Sequence, residues 1–187
     1  VLNDAAPPGK EKKYALVEHE RRFLLSGLPR APISGELRIV DRYVRSTRLR
    51  LRQTTETNDR VVYKLTQKIP NVHGGPGLIT TMYLDQHEHR TLSLLPADVI
   101  TKVRRRVGPF VVDEFYGPLE GLYLAEAEFV TEREAADFVP PAFVISEVTS
   151  DRRFTGGFLA SARRDEIKRA AADYGMALRL RPSDAPT

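Results

Sequence analysis

Charged side chains two residues apart on an extended chain project to the same side about 7 Å apart, so spacing alone can line like charges up in rows. Arg48-Leu49-Arg50-Leu51-Arg52 puts guanidinium groups on one face and leucines on the other. Lys64, Thr66 and Lys68 repeat the pattern, as do Lys102, Arg104 and Arg106. Acids form rows too: Glu18 and Glu20 share a face with Arg22, Glu126 alternates with Glu128, and Asp113 stands between the two pairs in sequence. Converging arginines and lysines suit a multiply anionic ligand, and the planar guanidinium fork fits phosphate oxygens. Two carboxylate pairs from different strands can hold a hard divalent cation. With oxygen donors alone, that cation is Mg2+ or Mn2+ rather than zinc. A metal with a polyphosphate is the occupant these rows fit.

The net charge of +4, from 29 Lys+Arg against 25 Asp+Glu, hides this segregation. Residues 36–68 carry nine basic side chains against four acidic, while residues 113–137 carry eight acidic against one basic. Like charges aligned across neighbouring strands repel, so faces of fixed sign need compensation. Closing the sheet with its charged faces inward sets acidic strands opposite basic ones and leaves the leucine faces outside, under helices. A water-filled tunnel holding a ligand satisfies both faces.

Those rows need strands, and the chain supplies them. Period-two alternation marks strands at 14–25, 37–44, 46–54, 60–69, 77–86, 102–107, 110–117 and 122–130, with short links that make neighbours antiparallel. Thr131 and Glu134 form a T-x-x-E box opening a short helix before Pro140, and 157–174 carries a helical apolar stripe. A further helix is expected near 97–101. The class is α+β: an eight-stranded antiparallel closed β-barrel, a tunnel, with helices packed on the outside. One domain spans 14–178, between disordered tails at 1–13 and 179–187. Asn71 to Gly77 reads as a loop, and His87-Glu88-His89 as a solvated turn.

Composition narrows the function classes. Zero cysteines remove disulfides, thiolate metal sites and cysteine nucleophiles, which suits a reducing compartment. No apolar run approaches the ~20 residues that cross a bilayer, so a cytoplasmic protein with no membrane partner is expected, as monomer or homodimer. Nucleic-acid binding calls for a continuous basic surface with interleaved aromatics. The basic rows instead alternate with leucine, and tryptophan is absent.

Glu18-His19-Glu20-Arg21-Arg22 resembles the E-x-E-x-K signature that opens the CYTH domain, the fold of the triphosphate tunnel metalloenzymes. Thr47 to Arg50 resembles its paired-arginine strand, Leu65 to Lys68 its lysine-bearing strand, and Lys102 to Arg106 its Lys/Arg-rich strand. Val112 to Gly117 resembles its V-D-x-F-x-G segment, Leu124 to Glu128 its late E-x-E strand, and Glu147 to Phe154 its segment before the last helix. The blocks follow family order over about 14–175. The resemblance implies an eight-stranded tunnel, a divalent metal and hydrolysis of a triphosphate. Members include inorganic triphosphatases, thiamine-triphosphatases and class IV adenylate cyclases. Glu18, Glu20, Glu126 and Glu128 are then metal-side carboxylates, with Asp113 assisting, and Glu18, Glu20 and Arg22 form the catalytic signature. Arg48, Arg50, Lys68, Lys102, Arg104 and Arg106 clamp phosphates, joined by Arg52 and Lys64 on the same faces.

The chain departs from the family pattern at several points. Arg22 replaces lysine, keeping the charge without the ability to release a proton at ordinary pH. Strand 77–86 reads Leu78-Ile79-Thr80-Thr81-Met82-Tyr83-Leu84 where relatives commonly carry glutamates, Val111 replaces a frequent acid, and Phe154 a frequent tyrosine. The leading expectation is metal-dependent hydrolysis of a small triphosphate. Without a tryptophan platform for an organic ring, inorganic triphosphate is favoured. A polyphosphate- or nucleotide-binding tunnel without turnover, and an adenylate cyclase, are the alternatives.

Overall fold

The computed structural model describes residues 15–69 and 77–178; both expected tails and the stretch 70–76 lie outside them. Alternation places ten antiparallel strands. In chain order they are β1 (Leu16–Val17), β2 (His19–Leu25), β3 (Ile33–Val44), β4 (Leu49–Glu56) and β5 (Val61–Ile69). β6 (Leu78–Leu84), β7 (Ala97–Val107), β8 (Phe110–Phe115), β9 (Tyr123–Phe129) and β10 (Val144–Glu147) follow. They form one sheet in the order β1-β6-β5-β4-β3-β7-β8-β9-β2-β10. Gly108, with φ of 58°, makes the tight β7–β8 turn, a left-handed position that suits glycine.

The antiparallel α+β class is as expected, but the sheet has ten strands rather than eight, and among the described residues hydrogen bonds do not close it into a barrel. The two ladder ends are β1 and β10. β1 and β2 are nevertheless joined through the single residue Glu18 while occupying the first and ninth places in the sheet. One residue spans only about 7 Å between its flanking Cα atoms, so the sheet must curl until these places adjoin. The strand expected at 14–25 thus changes partner at Glu18: β1 pairs with β6, and β2 with β9 and β10. Glu18 N donates to Gly77 O at 3.2 Å across the change.

Three other expectations are corrected. Residues 97–101 are the start of β7, not a helix, because Ala97 to Thr101 pair with Val44 to Val40 of β3. The helix expected at 157–174 is two: α3 (Gly156–Ser161) and α4 (Arg164–Ala172), split where Ala162 and Arg163 are extended. The 87–89 segment lies in a helix, α1 (Gln86–Leu92), rather than a turn. Asp85 accepts from Glu88 N at 2.8 Å, and Glu88 accepts from Asp85 N at 2.8 Å, a full capping box. α2 (Glu132–Asp137) begins as expected, with Thr131 Oγ1 accepting from Glu134 N at 3.2 Å.

Two buried clusters divide along β2. Phe23 and Leu25 face an outer cluster with Phe110, Val112 and Ala125, against which Phe138 packs. Leu24, with opposite parity, joins Ile100, Phe115, Leu124, Phe154, Leu159 and Ile167. These include side chains on the same inward faces that carry the charges, so one end of the interior is apolar. Phe154 and Leu159, from the turn at 152–154 and from α3, cover that end, with α4 packed in the same cluster. The expectation that the helices pack on the outside is corrected for α3 alone, which closes an end of the interior.

Candidate active site

The curled sheet encloses a cavity of about 1050 Å³. Register places its walls. β4, β5 and the bend just before β4 contribute Arg48, Arg50, Arg52, Lys64 and Lys68; Arg50 pairs with Thr66 and Arg52 with Lys64 across the ladder. The opposite wall carries Glu18, Glu20, Glu126 and Glu128, with Glu20 opposite Glu128 and Arg22 opposite Glu126. β7 and β8 supply Lys102, Arg104 and Asp113. Every candidate named from sequence lines this space except Arg106, which is exposed at the end of β7 and lies outside the lining.

Inside, the charges form a continuous alternating chain. Arg52 holds Asp41 through two bonds of 2.6 and 2.7 Å. Lys102 Nζ lies 3.9 Å from Asp41 and 2.6 Å from Asp113. Arg104 grips Asp113 at 2.6 and 2.7 Å and reaches Glu126 at 2.7 Å. Arg22 stands 3.4 Å from Glu126 and also pairs with Glu20. Separately, Lys68 Nζ bonds both oxygens of Glu18, at 3.1 and 2.9 Å. Arg48 and Lys64 make no ion pair among the described residues; Lys64 Nζ sits 4.8 Å from the Tyr83 ring centroid. Arg50 Nε is buried without a hydrogen-bond partner among the described residues, 3.8 Å from Asp41. The lining cations least engaged by acids among the described residues are thus Arg48, just before β4, Arg50 on β4, Lys64 on β5 and Arg152 in the 152–154 turn.

Burial and pairing compete at each acid. Burial alone raises the Asp41 carboxyl, but Arg52, Lys102 and Arg50 hold it down to about 2. Glu126 and Asp113 follow the same balance: burial opposes ionisation, and Arg104 with Lys102 keeps both below the ordinary range. Glu20 goes the other way, raised by burial and then by the charge of Glu126, against weaker help from Arg22 and Lys68. Lys102 is lowered by burial despite Asp113. Tyr43 is pushed up to about 12 by burial and the Asp41 charge.

Asp41, Tyr43 and Arg152 belong to the site and were not singled out from sequence. Asp41 is the lone acid on a face otherwise carrying Leu37, Ile39 and Tyr43, so no row announces it. Its signal is its place in the β3 alternation opposite Arg52. Arg152 lines the cavity from a short 3-10 turn, where period two has no meaning. Asp113, expected on the metal side, instead serves as the buried counter-ion of Lys102 and Arg104.

The carboxylate wall suits a hard divalent cation in the kind of its donors, which are all oxygen. Burial first, and then the charge of Glu126, raise the Glu20 carboxyl, and added positive charge beside it favours the ionised form. Among the described residues no three acidic, histidine or cysteine groups stand as a ready-made cation site; Lys68 holds Glu18, Arg104 holds Glu126, and Glu128 is exposed.

No family model matches the chain. An inorganic triphosphatase of Nitrosomonas europaea is 43% identical to it over 51 residues, which are 27% of this chain and 34% of that protein. The match thus spans about a third of the relative's length. Among solved structures, the hypothetical protein NE1496 superposes with a TM-score of 0.53 at 25% identity, over 78% of this chain and 99% of that one. The inorganic triphosphatase NE1496 gives a TM-score of 0.54 at 23% identity, over 79% of this chain and 96% of that one. The shared fold, the curated relative and the ordered sequence blocks agree with one superfamily, that of the CYTH domain and the triphosphate tunnel metalloenzymes.

Proposed function

We propose that this chain hydrolyses a small triphosphate, inorganic triphosphate foremost, in a divalent-metal-dependent reaction inside the cavity. The observation carrying this reading is the opposition of weakly engaged cations on β4 and β5 to a carboxylate wall on β2 and β9, across about 1050 Å³. The fold shared with structures of an inorganic triphosphatase, and the short match to a protein of that name, support it.

Arg48, Arg50 and Lys64 take the phosphate oxygens, and the Arg50 Nε that lacks a partner gains one. Glu18, Glu20, Glu126 and Glu128 would hold Mg2+ or Mn2+, which would supply positive charge against the phosphate oxygens. Arg22 stays protonated and contributes charge rather than a proton. Fixed donors along the chain replace water around the transferred group, so positioning and electrostatics supply most of the rate.

Phosphate release from inorganic triphosphate tests the reading. Mg2+ or Mn2+ sustains it, EDTA abolishes it, and Glu20→Gln lowers it about a hundredfold or more. Triphosphate binding without metal-dependent release defeats hydrolysis and leaves a binding tunnel. Cyclic AMP formed from ATP redirects the assignment to a cyclase.

A further inference from the structure

Arg22 stands where the carboxylate wall needs a counter-charge. It lies between Glu20, two residues earlier on the inward face of β2, and Glu126, its cross-strand partner on β9. One guanidinium nitrogen pairs with Glu20, and Nε lies 3.4 Å from Glu126 Oε1. The side chain is only 10% exposed. Its backbone is pinned as well: Arg22 N donates to Thr149 Oγ1 at 2.9 Å, and Arg22 O accepts from Val148 N at 2.8 Å. The guanidinium is therefore held against both acids rather than sweeping past them.

Two carboxylates this close need positive charge between them, and a divalent cation or an arginine can provide it. Arginine does not deprotonate at ordinary pH, so a metal approaching Glu20 and Glu126 meets a permanent charge that must move aside. Moving it leaves a buried cation without its partner unless an anion receives it. A lysine here would present a compact point charge with one nitrogen, against the two nitrogens by which this guanidinium engages both acids.

We propose that Arg22 is a built-in counter-cation that competes with a divalent metal for Glu20 and Glu126, and thereby sets the metal affinity of this chain. The inference rests on the reading that the β2–β9 wall takes a metal, and it adds what governs that binding. Linkage gives a corollary: a bound phosphate chain that draws Arg22 away frees the carboxylates, so anion and metal favour each other's binding.

Mn2+ binding to the full chain, followed by the electron paramagnetic resonance signal of free Mn2+ without triphosphate, tests this apart from activity. Arg22→Gln is expected to bind Mn2+ about tenfold or more tightly than the parent, with Arg22→Lys intermediate. Adding Glu20→Gln to Arg22→Gln should erase the gain. Thermal unfolding establishes that each variant is folded, and Arg22→Lys decides the question if Arg22→Gln is not. Affinity equal to or weaker than the parent's in the folded variants overturns the proposal, as does a gain that survives Glu20→Gln. A parent chain that binds Mn2+ and triphosphate without releasing phosphate defeats hydrolysis while leaving the competition intact.

Discussion

Asp41 is completely buried and faces three cations: Arg52 at 2.6 Å, Arg50 at 3.8 Å and Lys102 at 3.9 Å. Such an acid fixes the direction of the side chains meant to meet phosphate, and its charge keeps them from repelling one another. Breaking a buried pair from one side strands the other charge, at a cost of about 3–5 kcal/mol. Asp41→Asn is therefore expected to lower the urea unfolding free energy by about that much. Asp98→Asn, which removes an exposed pair with Arg45, should cost no more than about 1 kcal/mol. Equal losses would refute the distinction. The charged rows could be read from sequence because repetition marks them; Asp41 could not, because a single acid in an apolar alternation looks like a chance interruption.

At the scale of elements, α3 closes one end of the interior through a close approach. A Cβ on Gly156 would lie 1.9 Å from Tyr43 Oη and 2.8 Å from its Cζ. Any side chain there must displace the Tyr43 ring, which is half-buried against the core cluster of Leu24, Phe154 and Leu159. Gly156→Ala is expected to destabilise the fold by about 1–3 kcal/mol, read from thermal unfolding. Tyr43→Ala removes the obstacle, so the double variant should fall well short of the sum of the singles, and strict additivity would contradict the contact. Strands with regular alternation, such as β4 and β5, were legible with boundaries within about three residues. β7 was shortened in the reading because residues 97–101 become strand only through pairing with β3. β10, four residues paired at one side of β2, carries too little pattern to be recognised alone.

For the whole molecule, net charge is a poor guide and charge placement a good one. Segments of opposite sign become facing walls because one residue, Glu18, joins the first and ninth places of the sheet. The inward direction of the rows was legible in their alternation. What alternation cannot carry is the pairing among them: Arg22, Lys68, Lys102 and Arg104 pair with acids of the same cavity. The central claim is that one wall takes a triphosphate and the other its metal. Crystals grown with Mn2+ and a non-hydrolysable triphosphate analogue, measured for manganese anomalous scattering, test it most directly. The account predicts a manganese peak among Glu18, Glu20, Glu126 and Glu128, with phosphate density along Arg48, Arg50 and Lys64. Phosphate density outside the cavity, or manganese away from the β2–β9 wall, would contradict it.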